Sequence, residues 1–284
     1  MRRLVNFHAS LRNGFCALFF MEEKLKKLQN YLLGLKKVAV AFSGGVDSSF
    51  LLKVASDILG KNAIAINVNS PLVARTERIS MQEFCTKHEI PLVQIEFDAL
   101  SFSQIKENSA SRCYFCKQAI FSQIMASAKK NGIENIADGS NSDDENDFRP
   151  GMKALAELGV LSPLKECGFS KAEIRELSKK MKLETWQMPS AACLASRIEY
   201  GQEITEEILL RIDKAEDFLR KLNFGQCRVR VHGNLARIEV PPEQMQNALS
   251  HKKEIHAEIK RLGFSYATLD LLGYRTGSMN EILD

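Results

Sequence analysis

No stretch of this chain approaches the roughly 20 apolar residues that a membrane-spanning helix needs, so no such helix is expected. Internal repeats and low-complexity tracts are absent too, which sets aside repeat architectures. Charge of one sign is not in excess: 39 Lys and Arg against 35 Asp and Glu leave +4. That balance is compatible with anionic small molecules and makes no strong case for nucleic acid. The single tryptophan, Trp186, reads as core packing rather than as a stacking platform. Seven cysteines, at positions 16, 85, 113, 116, 167, 193 and 227, make an odd number with no secretory signal ahead of them. A disulfide framework is therefore not expected, and a reducing, cytoplasmic setting is.

What is present suits a globular protein. A chain of 284 residues, 45% hydrophobic and 26% charged, has room for one large domain or two modest ones. Residues 1–20 are unusual, with three arginines, no Asp or Glu, and phenylalanines without helical period. Met21 opens a clean amphipathic pattern, so residues 1–20 read as a disordered or wrongly assigned extension.

The informative segment is Ser43-Gly44-Gly45-Val46-Asp47-Ser48. It follows the apolar run Val38–Phe42 and precedes Leu51, Leu52, Ala55, Ile58 and Leu59, spaced as one face of a helix. A buried strand, a glycine loop and a helix start form an anion trap, because unpaired N–H groups and the helix dipole face the loop. Ser43 and Ser48 add hydroxyl donors, and Asp47 suits a magnesium ion. No Gly-Lys-Ser/Thr follows and the glycines are not spaced Gly-x-Gly-x-x-Gly, so this is neither a Walker loop nor a dinucleotide fingerprint.

Further strands are expected at Ala63–Val68, Leu92–Phe97 and Asn135–Ala137, with helices at Thr76–His88 and Lys117–Lys130 between them. Such alternation predicts an α/β fold with a doubly wound parallel sheet. Ligands lie beyond the carboxyl ends of its strands, so Ser43–Ser48, Asn69–Pro71 and Asp138–Asn141 share one rim. Asp138 and Gly139 accordingly join the six loop residues as nucleotide contacts. Ser142–Arg149 reads as a surface loop, Ser170 to Glu173 as a capping box, and Pro189 to Gly201 as a loop. Beyond residue 200 the pattern changes. A helix to Leu222, strands Cys227–His232 and Leu235–Val240 about a Gly233-Asn234 turn, a helix over about Glu243–Leu262 and a strand at Ser265–Leu271 predict a small α+β domain. The domains expected are thus 21–200, binding ATP, and 201–284, for substrate binding or oligomerisation.

Cys113 and Cys116 form a Cys-x-x-Cys, and Cys193 lies in the later loop. The pair alone is open between zinc, a redox disulfide, iron–sulfur ligation and two inert thiols. Structural zinc would want four protein ligands, and no His-x-x-x-His stands nearby. In the hairpin, period-2 alternation places Arg228, Arg230, Arg237 and Glu239 on one face, with Arg230 opposite Arg237. Like charges directly opposite destabilise unless an anion or water relieves them. A solvated face and a phosphate site both satisfy that pattern.

The glycine loop resembles the PP-loop of the ATP pyrophosphatase superfamily, whose fold is of the adenine nucleotide α-hydrolase type. From Met21 onward the chain is similar to the LarE-type ATP-dependent sulfur transferases of nickel-pincer cofactor biosynthesis. The resemblance rests on Ser43–Ser48, Arg112–Lys117, Asp138–Asp144, Arg149–Leu164, Pro189–Gly201 and Arg228–Val240. It implies ATP and Mg2+ as cofactors and AMP and pyrophosphate as products. The implied reaction turns the carboxyl groups of a pyridinium biscarboxylate mononucleotide into thiocarboxylates for lactate racemase maturation. Having Cys113 and Cys116 besides Cys193 is similar to members that hold a 4Fe-4S cluster on three cysteines. Other members sacrifice the sulfur of the cysteine corresponding to Cys193. The hairpin arginines, with Arg275, Ser196 and Arg197, are then substrate contacts, and a homo-oligomer is implied. A tRNA thiolase and a non-catalytic nucleotide or cluster sensor are the alternatives. Against the first, no zinc-ribbon cysteine pairs or basic RNA-binding domain appear.

Overall fold

A computed structural model describes residues 20–146, 150–188 and 192–281. The expectation for residues 1–20 therefore falls almost entirely outside the described residues. So do parts of the Ser142–Arg149 and Pro189–Gly201 loops.

Helix α1 covers residues 20–35. Strand β1 (Val38–Ala41), α2 (Val46–Leu59), β2 (Ala63–Asn69), α3 (Arg75–Lys87) and β3 (Leu92–Glu96) follow. The chain continues through a short α4 (Ser103–Lys106), α5 (Arg112–Lys130) and β4 (Ile136–Ala137). The four strands are parallel in the order β3-β2-β1-β4. The chain thus moves outward from β1 to β3 and returns to the other side of β1 for β4. The switch point lies at the carboxyl end of β1, where the glycine loop begins.

Alternation along the strands builds two cores, as a sheet covered on both faces requires. Ala39, Ile64, Ile66 and Ile136 join one hydrophobic cluster, which also holds Phe121 and Ile124 of α5. Val38, Val40, Ala63, Ala65 and Ala137 join the other, with Leu28, Phe50, Phe84 and Phe169. This is the doubly wound arrangement expected.

Three helices follow: α6 (Pro150–Glu157), α7 (Pro163–Glu166) and α8 (Lys171–Lys180). The Ser170–Glu173 capping box forms, and Lys24 of α1 reaches Glu173 at 2.7 Å. Helix α9 (Glu206–Lys221), β5 (Arg228–His232) and β6 (Leu235–Glu239) come next. The helix expected over Glu243–Leu262 is instead two, α10 (Met245–Ser250) and α11 (Lys252–Arg261), parted at His251. β7 (Tyr266–Leu269) then pairs parallel to β6, completing a mixed three-stranded sheet in the order β5-β6-β7. The first core continues into this sheet through Ile198, Ile204, Ile212, Val229 and Ile238. Ile198 also makes a parallel bridge to Val231.

Candidate active site

Gly45 caps α2 in an extended conformation and offers no side chain, so the first N–H groups of the helix lack a side-chain cap. Gly44 has φ +74, and a Cβ there would come 2.6 Å from Met81 Cγ. Only glycine fits. Ser43 and Ser48 hydroxyls lie 3.1 Å apart and Val46 is buried. Gly139 approaches the same helix start so closely that a Cβ would meet Ser48 N at 2.8 Å.

Asp138 is turned inward instead. It accepts from Ser162 Oγ at 2.8 Å and from Ser140, which fixes the loop rather than presenting a carboxylate to a nucleotide. Asp47 pairs with Lys171, the first residue of α8, while its Oδ1 is buried without a hydrogen-bond partner. Burial raises the Asp47 carboxyl, and Lys171 draws it back. A buried carboxylate oxygen left unsatisfied in the first turn of the loop helix is suited to a hard cation such as Mg2+.

The three cysteines lie on two segments, Cys113 and Cys116 on α5 and Cys193 ahead of a later turn. Helix α5 begins earlier than expected, so Cys113 and Cys116 lie one turn apart at its start, both half-buried. Cys193 is exposed and precedes a short turn, Leu194–Arg197. Burial, then the charges of Cys193 and Cys113, push the Cys116 thiol up to about 12. Among the described residues no three His, Cys, Asp or Glu side chains close on a single metal ion.

Three anchors absent from the sequence reasoning hold the Cys193 segment. Arg112 is buried and donates to Ala195 O at 3.0 Å and to Asn108 Oδ1, with Cys113 Sγ at 3.7 Å. Asn108 donates in turn to Glu199 O at 2.8 Å. Glu216 of α9 receives Arg197, whose Nη1 donates to Cys193 O at 3.1 Å. In addition, Leu194 N donates to Leu72 O at 2.8 Å, fastening the segment to the loop after β2. A buried asparagine and glutamate give no sequence signal of their own. Arg112 stood beside the Cys-x-x-Cys, and that adjacency was its only mark.

The arginine face has the expected register, Arg228 opposite Glu239 and Arg230 opposite Arg237. It is not a solvated face. Glu239 is wholly buried and takes Arg230 at 2.9 and 3.0 Å, Arg237 at 3.3 Å and Ser278 Oγ at 2.6 Å. The facing arginines are therefore relieved by a carboxylate of the protein itself. Arg197 is likewise buried in its pair with Glu216, and Arg275 is shared by Asp270 and Glu281. These guanidiniums position neighbouring segments before they meet any substrate. Ser196 bonds back to Cys193 O at 2.8 Å.

Arg228 lies over the Tyr274 ring at 5.4 Å, and burial with the nearby Arg197 charge lowers its pKa. Arg220, missed in the sequence, has Nε and Nη2 buried without hydrogen-bond partners. Its Nη1 lies 3.8 Å from Glu216 Oε2.

A four-stranded parallel sheet with an uncapped glycine loop at its switch point is the architecture of a PP-loop ATP-binding protein, joined here to a small mixed sheet. A family model of the PP-loop domain matches residues 19–147. The chain is 40% identical over 265 residues to an uncharacterised protein of Synechocystis, covering 93% of this chain and 99% of that one. It is 36% identical over 253 residues to the pyridinium-3,5-bisthiocarboxylic acid mononucleotide synthase of Lactiplantibacillus plantarum, covering 89% and 92%. An uncharacterised protein of Methanocaldococcus jannaschii is 31% identical over 257 residues, covering 89% and 98%. The chain belongs to the LarE-type family of PP-loop ATP pyrophosphatases. Its PP-loop binds ATP. Among the described residues no helix is long and apolar enough to cross a membrane.

Proposed function

We propose that the protein is an ATP-dependent sulfur transferase that adenylates the carboxyl groups of pyridinium-3,5-biscarboxylic acid mononucleotide and converts them to thiocarboxylates. The products would serve a nickel-pincer cofactor such as that of lactate racemase. The observation carrying this reading is the tie from Leu194 to Leu72, which sets Cys193 beside the loop that shares the PP-loop's rim.

The chemistry follows from that juxtaposition. The uncapped N–H groups of α2, with Ser43 and Ser48, hold the β- and γ-phosphates, and Asp47 Oδ1 would hold Mg2+. A substrate carboxylate oxygen attacks the α-phosphorus and pyrophosphate leaves. A sulfur nucleophile then attacks the acyl carbon, and AMP departs with the carboxyl oxygen it had captured. Arg228, over the Tyr274 ring, would supply positive charge for the nucleotide's phosphate. The protein's task is to align the reactants and stabilise phosphate charge.

Cys113, Cys116 and Cys193 would hold a 4Fe-4S cluster; bound there, it supplies an iron without a protein ligand that carries sulfide. After anaerobic reconstitution with iron and sulfide, one cluster should load, and alanine at any one of the three should sharply reduce occupancy. Zinc retained in the single variants would refute the cluster. Dehydroalanine at position 193 after one turnover would assign the sulfur to Cys193 itself. For the transferase as a whole, pyrophosphate release should depend on the pyridinium nucleotide. Release that ignores it would reject this reading.

A further inference from the structure

The loop Ser43–Ser48 carries no lysine or arginine, and the first lysine of α2, Lys53, pairs with Asp57 one turn on. A cation nevertheless stands at the loop, brought there by α8. Lys171 Nζ pairs with Asp47 Oδ2. Two sets of contacts build that position. Phe169, two residues ahead, sets its ring against Phe50 of α2 at 5.7 Å. Lys171 N donates to Asp143 Oδ2 at 2.8 Å, and Ser142 Oγ donates to Phe169 O at 2.8 Å. The turn that follows the Asp138–Asn141 rim thus holds the start of α8.

An ammonium has three donors, and Asp47 takes one. Among the described residues Lys171 Nζ makes no other hydrogen bond or ion pair, and its side chain is 30% exposed. Arg175, one turn further along α8, is by contrast engaged by the carbonyls of Trp186 and Met188, at 2.6 and 2.8 Å. Lys171 therefore keeps open donors beside the same helix start whose N–H groups lack a side-chain cap. We propose that Lys171 is the phosphate-binding cation of the ATP site, contacting the pyrophosphate half of the nucleotide. This rests on reading the start of α2 as the seat of the β- and γ-phosphates. When the bond from the α-phosphorus to the bridging oxygen breaks, its electron pair stays on the departing pyrophosphate. The ammonium offsets that charge while keeping its own proton. Its bond to Asp47 orients it and leaves the other donors for phosphate oxygens.

Magnesium pyrophosphate and AMP, titrated calorimetrically and separately into the full-length protein, divide the nucleotide at the bond that breaks. Lys171→Met should weaken pyrophosphate binding about tenfold or more and leave AMP binding unchanged. Lys171→Arg should keep part of the pyrophosphate affinity. Equal pyrophosphate affinity in the wild type and Lys171→Met overturns the proposal. Parallel loss of both ligands in Lys171→Met overturns it too, by showing a structural role. If the wild type binds AMP and not pyrophosphate, the phosphate seat on α2 falls and this inference with it.

Discussion

Glu216 receives Arg197 through both carboxylate oxygens, Nε at 2.9 Å and Nη2 at 3.0 Å, with both side chains out of solvent. The same guanidinium holds the carbonyl of Cys193, so a buried ion pair beside the first core anchors the segment of the exposed thiol. Removing one partner of such a pair strands a charge in the interior. Glu216→Ala should cost about 3–5 kcal/mol in urea unfolding. A loss below about 1 kcal/mol would show the pair to be dispensable.

That pair also gives the stability a pH dependence. Burial alone would raise the Glu216 carboxyl, but Arg197, Arg228 and the Val229 N–H together bring it below the ordinary glutamate value. Stability from a lowered carboxyl is fully present above the unfolded value of about 4.3 and is lost as pH falls through the folded one. Wild type should therefore lose stability on acidification more steeply than Glu216→Gln. Parallel acid limbs in the two proteins would refute this coupling.

Arg230→Ala is expected to destabilise by about 3 kcal/mol, because Glu239 would keep only Arg237 and Ser278 in a buried setting. From the sequence alone the opposite sign follows, since like charges face each other across the strands. Denaturation midpoints decide between them, and a stabilised variant would restore the sequence-based expectation.

The PP-loop, the two-faced sheet and the hairpin register were legible because each rests on local pattern: glycine against a helix start, period-2 alternation, a Gly-Asn turn. The extended start of α5 and the break at His251 were not, since periodicity marks helix interiors better than ends. Charge pairing was hidden for a different reason. Arg230 with Glu239 is a same-face pair two rungs removed, and Arg197 with Glu216 joins a loop to a helix, so only tertiary structure shows which arginines are already engaged.

Alkylation should rank the thiols. Cys193 is exposed, whereas burial pushes Cys227 and Cys85 up to about 12 and about 11. Brief treatment with iodoacetamide near pH 8 should modify Cys193 first and leave Cys85 and Cys227 untouched. Site-resolved mass spectrometry reads the order, and early modification of Cys227 would contradict the buried strand start assigned to it.

Asp47→Ala should lower pyrophosphate release by about 100-fold or more while changing stability by less than about 1 kcal/mol. The carboxylate sits on the rim with one buried oxygen unpartnered, and its Lys171 pair is partly exposed. Undiminished release by a folded variant would remove Asp47 from the ATP site.

The most direct measurement is mass spectrometry of the nucleotide after incubation of the anaerobic protein with ATP, Mg2+, sulfide and pyridinium-3,5-biscarboxylic acid mononucleotide. Each converted carboxyl should exchange one oxygen for sulfur, with one AMP and one pyrophosphate formed per exchange and no conversion without ATP. Unchanged nucleotide alongside steady ATP cleavage, or sulfur appearing in RNA instead, would contradict sulfur transfer to this substrate.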